Sequence, residues 1–328
     1  MQVKAAVTLG YQQPFVIKDV EVAPPGKDEI LVKIVATGVC HTDAVMRDNP
    51  GVVPMPAILG HCLSNHPSAC EDFNTLNFGG RREDGTTPYR LEDQDLSLFF
   101  GQSSFSQYVV TRASNAVVVD PEVDLTLLGP LGCGIQTGSG TVLNRLKPVV
   151  GESLVVFGCG AVGLSAIMAA KLTGCSQIIA VDIHASRLAL AGELGATHQI
   201  NGKEQDAVAV IKQITGKGAH YAVETTGVSA IVLQAVHAVK PLGTVAIVGF
   251  TGDITLNVQN DLMAEGKSLV GVIEGDAVPA LFIPLLVQLY KQGKFPIDKL
   301  IARYPLADIN QAFADSASGK VIKPVVVM

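Results

Sequence analysis

Short apolar runs separated by helix-length stretches dominate the second half of the chain. Strands are predicted at 153–157, 177–182, 220–224, 244–249 and 269–273, and helices at 161–174, 185–194, 206–215 and 229–239. Helices near 278–292 and 307–316 and a strand at 321–327 follow. Uninterrupted apolar strands that alternate with helices are typical of a parallel sheet covered on both faces. This half therefore predicts an α/β fold with a doubly wound parallel sheet.

Residues 1–134 have a different pattern, with many β-branched residues and frequent Pro and Gly. In the segments 29–36 and 105–110, apolar and polar residues alternate or β-branched residues follow one another, as is typical of strands. The segment 71–95 is polar and predicts a long surface loop. We expect a β-rich domain formed by 1–134 and 276–328, and a doubly wound domain at 135–275.

A glycine-rich turn lies between the first strand and the first helix of the second domain. Gly158, Gly160 and Gly163 form a G-x-G-x-x-G pattern, and Asp182 ends the next strand, 19 residues after Gly163. Such glycines let the backbone approach a pyrophosphate at a helix N-terminus, where free N–H groups and the helix dipole attract an anion. Asp182 would accept hydrogen bonds from the adenosine ribose and repel a 2′-phosphate. The pattern predicts a Rossmann domain that prefers NAD to NADP.

Composition places the chain among compact globular proteins. It has 328 residues, 48% of them hydrophobic and 16% charged, which is enough for two domains with a large core. The net charge of −6, without a Lys/Arg cluster, argues against nucleic acid as a partner. The N-terminus resembles a strand rather than a signal peptide, and no apolar stretch approaches the length of a membrane span. We expect a cytoplasmic protein that does not enter a membrane.

Cys40, His61 and Cys133 are candidate zinc ligands. Two thiolates and one imidazole would leave the fourth tetrahedral position open for substrate or water, as in a catalytic zinc site. The three residues are far apart in sequence, so their spacing does not distinguish ligands from buried cysteines and an unrelated histidine. In a reducing compartment, the six scattered cysteines indicate metal binding or burial rather than disulfides.

Several motifs carry a resemblance that covers nearly the whole chain. They are Ala-Thr-Gly-Val-Cys-His-Thr-Asp at 36–43, Gly-Gln-Ser-Ser-Phe at 101–105, the segment 127–138 and the glycine turn. In combination they resemble the zinc-containing medium-chain alcohol dehydrogenases and, within that family, the aryl-alcohol (benzyl-alcohol) dehydrogenases. The resemblance implies a GroES-like fold for the β-rich catalytic domain. It also implies reversible, NAD-linked oxidation of a primary alcohol, expected to be aromatic, to an aldehyde.

The resemblance assigns roles to individual residues. Cys40, His61 and Cys133 match the catalytic zinc ligands, Thr42 the hydroxyl that takes the substrate proton, and Asp43 the carboxylate that orients the zinc-bound histidine. The residues that match cofactor contacts are His41 and Lys323 at the pyrophosphate, the turn residues Gly158, Gly160, Ala161, Val162 and Gly163, then Asp182 and Arg187 at the ribose, Thr225 at the adenine, Thr137, Val248, Gly249, Phe250, Val272 and Ile273 at the nicotinamide, and Ile183 directly after Asp182. The implied partners are a small alcohol or aldehyde and further copies of the chain, in a dimer or tetramer.

The chain departs from the family pattern directly after His61. The family continues with a glutamate and further strands before a structural zinc lobe with four cysteines. Here Cys62 follows at once, and Cys62 and Cys70 match the last two lobe cysteines. Two cysteines cannot close a tetrahedral structural site, and His66 is interpreted as a loop residue, so we expect one catalytic zinc. Either the chain is truly shortened, which would expose strand edges and impair stability, or a stretch is missing from the sequence.

Two alternative functions stay open at this point. One is a zinc-free medium-chain reductase of quinones or enones, which the presence of all three candidate ligands disfavours. The other is a non-catalytic remnant that binds NAD, which the missing segment motivates. Val45 stands where many relatives have a histidine that relays the proton. Aryl-alcohol relatives share this change, so it weakens the relay and leaves the assignment in place.

Overall fold

The computed structural model describes residues 1–60 and 73–328, with Phe73 described by its backbone. These residues form two compact units. The first unit comprises Met1–Cys133, Val278–Gln288 and Ile297–Met328. The second unit comprises Gly134–Ala277 and Leu289–Pro296. Within these ranges, no helix is both long and apolar enough to cross a membrane.

The described residues form strands and helices along the whole chain. The strands are β1 (Gln2–Thr8), β2 (Val16–Val22), β3 (Glu29–Lys33), β4 (Ala36–Gly38), β5 (Ala57–Ile58), β6 (Tyr89–Leu91), β7 (Gln94–Asp95), β8 (Tyr108–Arg112), β9 (Ser153–Phe157), β10 (Gln177–Asp182), β11 (His198–Asn201), β12 (Ala219–Glu224), β13 (Val239–Ile247), β14 (Ser268–Gly271), β15 (Ile301–Pro305) and β16 (Lys323–Val327). The α-helices are α1 (His41–Asp48), α2 (Phe73–Phe78), α3 (Gln136–Gly140), α4 (Ala161–Thr173), α5 (Ala185–Leu194), α6 (Ala207–Thr215), α7 (Ser229–Ala238), α8 (Pro279–Lys291) and α9 (Ile309–Ala317).

The second unit contains the predicted doubly wound sheet. Its six strands are parallel and lie in the order β11-β10-β9-β12-β13-β14. Every residue of β9 is buried, as expected for a strand with helices over both faces. The chain order reverses between β9 and β12, and ligands of such sheets bind at the carboxyl ends of the strands at this point. The α/β fold class predicted from the sequence is confirmed.

The first unit is β-rich, and its described residues form three sheets. A five-stranded sheet has the order β5-β1-β2-β6-β7, a three-stranded sheet the order β15-β16-β4, and β3 pairs with β8. The core includes the buried rings of Phe15 and Phe105, whose centroids lie 5.7 Å apart with the rings edge to face. This mixture of short sheets agrees with a GroES-like domain.

The prediction of a continuous loop at 71–95 was wrong, because this segment contains α2, β6 and β7. The polar composition obscured a few anchoring aromatic residues. The ring of Phe78 lies 5.2 Å from that of Phe100, and Tyr89 is fully buried. The Tyr89 hydroxyl donates to the carbonyl of Gln102, at 2.7 Å, and burial raises the pKa of this phenol. Buried aromatic contacts at a few positions therefore order a segment that is otherwise polar.

Candidate active site

Two thiols from distant parts of the first unit lie side by side. Cys40 directly precedes α1, and Cys133 lies in the irregular helical segment 131–135, where its φ of −135° and ψ of −108° interrupt the helical geometry. Their Sγ atoms are 3.5 Å apart. Two sulfur ligands of one tetrahedral zinc, with Zn–S bonds of about 2.3 Å, stand about 3.8 Å apart. The pair therefore fits one zinc ion.

The carboxylate of Asp43 joins the backbone at Cys40 to the residue before His61. Asp43 is fully buried. Its Oδ2 accepts a hydrogen bond from the backbone N–H of Cys40, at 2.9 Å, and its Oδ1 accepts one from Gly60, at 3.2 Å. Hydrogen bonds to a buried carboxylate are among the stronger ones. Asp43 thus fixes the backbone beside two of the three predicted ligands.

The conformation of Gly60 is one that a side chain would not permit. Its φ is +91°, and a Cβ there would lie 2.7 Å from the backbone nitrogen of Phe105. The carbonyl of Gly60 accepts from the N–H of Ser104, at 3.0 Å, and that of Leu59 from Phe105, at 3.1 Å. Sequence reasoning missed Gly60, although a glycine directly before a candidate ligand was a usable signal.

A buried lysine and a close backbone contact hold the strand before Cys40. Lys323, 5% exposed, donates from Nζ to the carbonyl of Val39, at 2.8 Å. A Cβ at Gly129 would lie 3.2 Å from the carbonyl oxygen of Ala36, so a side chain there would require the two backbones to move apart by a few tenths of an ångström. The sequence predicted Lys323 as a cation near the pyrophosphate. In the described contacts it supports the residue before Cys40.

The remaining predicted ligands His61, Cys62 and Cys70 lie outside the described residues. In residues 1–60 and 73–328, no group of three or more His, Cys, Asp or Glu side chains could hold a metal. The fit to zinc therefore depends on the two neighbouring thiols. Thr42 is partly buried and His41 is exposed, both in the first turn of α1.

In the second unit, the three motif glycines differ in what surrounds them. A Cβ at Gly158 would lie 2.6 Å from Oγ1 of Thr225, and one at Gly163 would lie 1.8 Å from the carbonyl oxygen of Gly158. A Cβ at Gly160 would meet nothing within 4 Å. The first and third glycines thus serve the packing of the protein itself. The open space at Gly160, beside the first turn of α4, is what a pyrophosphate would need.

Asp182 lies at the end of β10 and is 7% exposed. Its Oδ2 accepts a hydrogen bond from the backbone N–H of Cys159, at 2.6 Å, and its Oδ1 accepts one from the backbone N–H of His184, at 2.8 Å. Nη1 of Arg187 is 4.0 Å from Oδ2. Ile183 is 47% exposed. Asp182 therefore connects the glycine turn to the loop after β10, where the ribose contacts were predicted.

Burial, and then the nearby charge of Asp182, raise the pKa of the Cys159 thiol. Cys159 is fully buried, and its Sγ lies 3.9 Å from the carbonyl oxygen of Val181. A thiol with a raised pKa and no exposure is unreactive at neutral pH. Cys159 is therefore a packing residue within the glycine turn.

The other predicted cofactor contacts follow the carboxyl ends of three neighbouring strands. Thr225 follows β12, the segment 248–250 follows β13, and Val272 and Ile273 follow β14. Oγ1 of Thr225 donates to the carbonyls of Phe157 and Gly158. Phe250 is 78% exposed and Val272 is buried. Because the sheet is parallel, these residues and the glycine turn all lie at the carboxyl ends of its strands.

Known proteins resemble both parts of the chain. A family model described as zinc-binding dehydrogenase matches residues 161–291, and one described as alcohol dehydrogenase GroES-like domain matches residues 26–121. Geraniol dehydrogenase of Castellaniella defragrans (strain DSM 12143 / CCUG 39792 / 65Phen) is 39% identical over an alignment of 366 positions that covers 99% of this chain and 97% of the relative. That alignment is longer than the chain of 328 residues, so several dozen aligned positions have no residue here.

Two solved structures have closely similar folds. Benzyl alcohol dehydrogenase of Acinetobacter calcoaceticus is 43% identical, with a TM-score of 0.96 over 100% of this chain and 99% of the other. An alcohol dehydrogenase zinc-binding domain protein from Burkholderia ambifaria is 44% identical, with a TM-score of 0.95 over 100% of this chain and 99% of the other. Membership of this family implies zinc and, in general, NAD. The chain therefore belongs to the zinc-containing medium-chain alcohol dehydrogenases, close to the aryl-alcohol dehydrogenases, and is an alcohol oxidoreductase.

Proposed function

We propose that this protein oxidises aromatic primary alcohols reversibly to aldehydes, with NAD and one catalytic zinc per chain. The observation that carries the proposal is the pair of thiols at Cys40 and Cys133, whose Sγ atoms are 3.5 Å apart. Asp43 accepts hydrogen bonds from the backbone N–H groups of Cys40 and Gly60, and so links one of these thiols to the residue before His61. The relative named for benzyl alcohol supports an aromatic substrate, and the relative named for geraniol, an acyclic alcohol, supports a primary alcohol. Both alcohols carry their hydroxyl on a carbon next to an unsaturated carbon.

In this proposal the residues of the first unit bind the metal and move the proton. Cys40, His61 and Cys133 hold the zinc, and Asp43 keeps the backbone at Cys40 and directly before His61 in place. When bound, zinc supplies the Lewis acidity that lowers the pKa of the alcohol, and NAD supplies the acceptor for the hydride. Oγ1 of Thr42 accepts the proton of the alcohol hydroxyl as it gives up its own, and that proton leaves through the cofactor ribose and water or through His41.

The residues of the second unit orient the cofactor. The open space at Gly160 admits the pyrophosphate to the N-terminus of α4, and Asp182 accepts hydrogen bonds from the ribose hydroxyls. A 2′-phosphate would add negative charge beside the Asp182 carboxylate, which favours NAD over NADP. We accordingly assign NAD binding to 135–275 and catalysis to 1–134 with 276–328.

The proposal extends to assembly and location. β14 is the last strand in the order of the six-stranded sheet, and a sheet edge is a ready surface for a second copy of the chain. We propose a homo-oligomer formed through this edge. A cytoplasmic location suits the site because a reducing compartment keeps the thiols of Cys40 and Cys133 available for a metal.

Substitution of Cys40 tests the catalytic part of the proposal. Cys40→Ala is expected to lower turnover of benzyl alcohol by more than about a hundredfold, because one zinc ligand is lost, while NADH binding stays intact. Cys175→Ala is the matched control, since Cys175 lies in the second unit beside Thr173 and is expected to keep full turnover. Retained turnover in Cys40→Ala would contradict the ligand role.

One observation favours a second candidate function. The alignment with geraniol dehydrogenase contains several dozen positions that this chain lacks, which suits a non-catalytic NAD-binding remnant. Wild-type protein that binds NADH but never oxidises benzyl alcohol with zinc supplied would establish this alternative. Active protein free of zinc would instead favour a reductase of quinones or enones.

A further inference from the structure

A strained turn follows β14 in the second unit. Glu274, Gly275 and Asp276 have φ values of +53°, +69° and +48° in succession. Residues other than glycine adopt a positive φ at a conformational cost, so surrounding contacts must hold Glu274 and Asp276 in this conformation. The turn comes directly after Val272 and Ile273, two of the proposed nicotinamide contacts.

Each residue of the turn is held by one side chain from the segment 136–145. Nε2 of Gln136 donates to Oε2 of Glu274, at 2.8 Å, and Gln136 is only 1% exposed. Nδ2 of Asn144 donates to the carbonyl of Gly275, at 3.0 Å. The Arg145 guanidinium lies 3.4 Å from the carboxylate of Asp276. These three contacts offset the cost of the turn.

Two glycines bring the backbones of the turn and of α3 into direct contact. A Cβ at Gly140 would lie 2.4 Å from the carbonyl oxygen of Gly275. A Cβ at Gly275 would lie 2.4 Å from the carbonyl oxygen of Gln136 and 3.0 Å from that of Thr137. Any larger residue would push the turn away from α3, and thus away from Thr137, another proposed nicotinamide contact.

We propose that Glu274 is a positioning residue for the nicotinamide half of the cofactor. Through Gln136 it fastens the turn 274–276 to α3, so Val272 and Ile273 on one side and Thr137 on the other keep a fixed separation before the cofactor binds. The inference rests on the proposed function, which makes these residues nicotinamide contacts. Because these contact residues are already fixed before the cofactor binds, binding does not have to order them, and the affinity for the cofactor is higher than it would be with mobile contact residues.

The test compares NADH with ADP-ribose, which lacks the nicotinamide, by titration calorimetry of the whole chain. Glu274→Ala is expected to weaken NADH binding roughly five- to tenfold and to leave ADP-ribose binding unchanged, because the hydrogen bond that Gln136 donates to this carboxylate, next to the proposed nicotinamide contacts, is lost. Glu274→Gln is expected to restore most of the NADH affinity, since its amide oxygen still accepts from Gln136.

The matched control is Glu204→Ala. Glu204 accepts from Nδ2 of Asn201, at 2.7 Å, and follows β11, at the other end of the strand order, so it should change neither affinity. NADH binding that is unchanged in Glu274→Ala, or that falls together with ADP-ribose binding, would overturn the inference, because the role of the turn would then be absent or merely structural. If Glu274→Ala does not fold, Asn144→Ala is subjected to the same comparison. Wild-type protein that binds NADH no more tightly than ADP-ribose would show that the proposed nicotinamide site itself is wrong.

Discussion

At the scale of single residues, the candidate site depends on what a side chain would collide with. Gly60 and Gly51 have nearly the same φ, +91° and +92°, but different surroundings. A Cβ at Gly60 would lie 2.7 Å from the backbone nitrogen and the ring of Phe105, whereas one at Gly51 would meet nothing within 4 Å. The two positions therefore separate the cost of the backbone conformation from the cost of the clash.

We expect Gly60→Ala to lower the free energy of unfolding by about 1–3 kcal/mol more than Gly51→Ala, because both alanines share the strained φ and only one is overpacked. Urea denaturation of both variants measures the difference. Gly60→Ala should also reduce the zinc content, since the N–H of Gly60 is one of the two groups that Asp43 holds. Equal destabilisation of the two variants would contradict this reading of Gly60.

At the scale of elements, the glycine turn before α4 combines packing with an open space. Gly160 has φ −78° and ψ −169°, which alanine also adopts without strain. We expect Gly160→Ala to keep the stability of the wild type and to weaken NADH binding about tenfold, because its methyl group would occupy the space proposed for the pyrophosphate.

Gly163→Ala is the contrasting variant, since its Cβ would lie 1.8 Å from the carbonyl oxygen of Gly158. In Gly163→Ala we expect a clear loss of thermal stability and a smaller change in NADH affinity. NADH fluorescence titrations and thermal denaturation separate the two effects. Unchanged NADH affinity in Gly160→Ala would remove the pyrophosphate from this position.

The pairing of β9 with β12 carries a titratable contact. Nδ1 of His220 accepts a hydrogen bond from the backbone N–H of Ser153, at 3.2 Å, and lies 2.8 Å from its hydroxyl. Burial, and then the charge of Lys240, lower the pKa of His220 below its usual value of 6.5. The folded state therefore prefers neutral His220, and its contribution to stability is lost as pH falls from 6.5 through the lowered pKa.

The His220→Asn variant tests this contact, because the asparagine oxygen can accept the same hydrogen bond and does not titrate. Between pH 7 and pH 5 the wild type should lose more unfolding free energy than the variant. Urea denaturation across this range measures the difference. Parallel curves for the two proteins would show that His220 contributes nothing to the pH dependence.

Sequence reasoning predicted the sheet of the second unit because buried parallel strands form uninterrupted apolar runs that alternate with helices. It failed at 71–95, where a few buried aromatic residues such as Tyr89 order a polar segment. The spacing of Cys40 and Cys133 in the sequence could not predict the thiol pair, since the two residues are brought together by the packing of 129–130 on 36–38. The turn 274–276 gave no local signal either, because its partners Gln136, Asn144 and Arg145 are distant in sequence.

At the scale of the whole molecule, the chain lacks several dozen positions of its alignment with geraniol dehydrogenase. Within the described ranges, β3 pairs with β8 alone, and Leu31 in β3 is 41% exposed. An apolar strand with one partner is a surface at which chains associate edge to edge. We therefore expect a shortened first unit to affect stability and metal content rather than the second unit.

The zinc content of the purified protein tests whether the first unit holds a structural site in addition to the catalytic one. Cys40 and Cys133 lie within reach of one ion, whereas Cys62 and Cys70 are the only further cysteines of the first unit, too few for a tetrahedral structural site. Protein purified without chelator should hold about one zinc per chain by elemental analysis. Cys133→Ala should lose it, and Cys70→Ala should keep it. A second tightly bound zinc that disappears in Cys70→Ala would mean that the segment after His61 completes a structural site from other ligands, and the shortened chain would then retain the metal-binding capacity of a longer one.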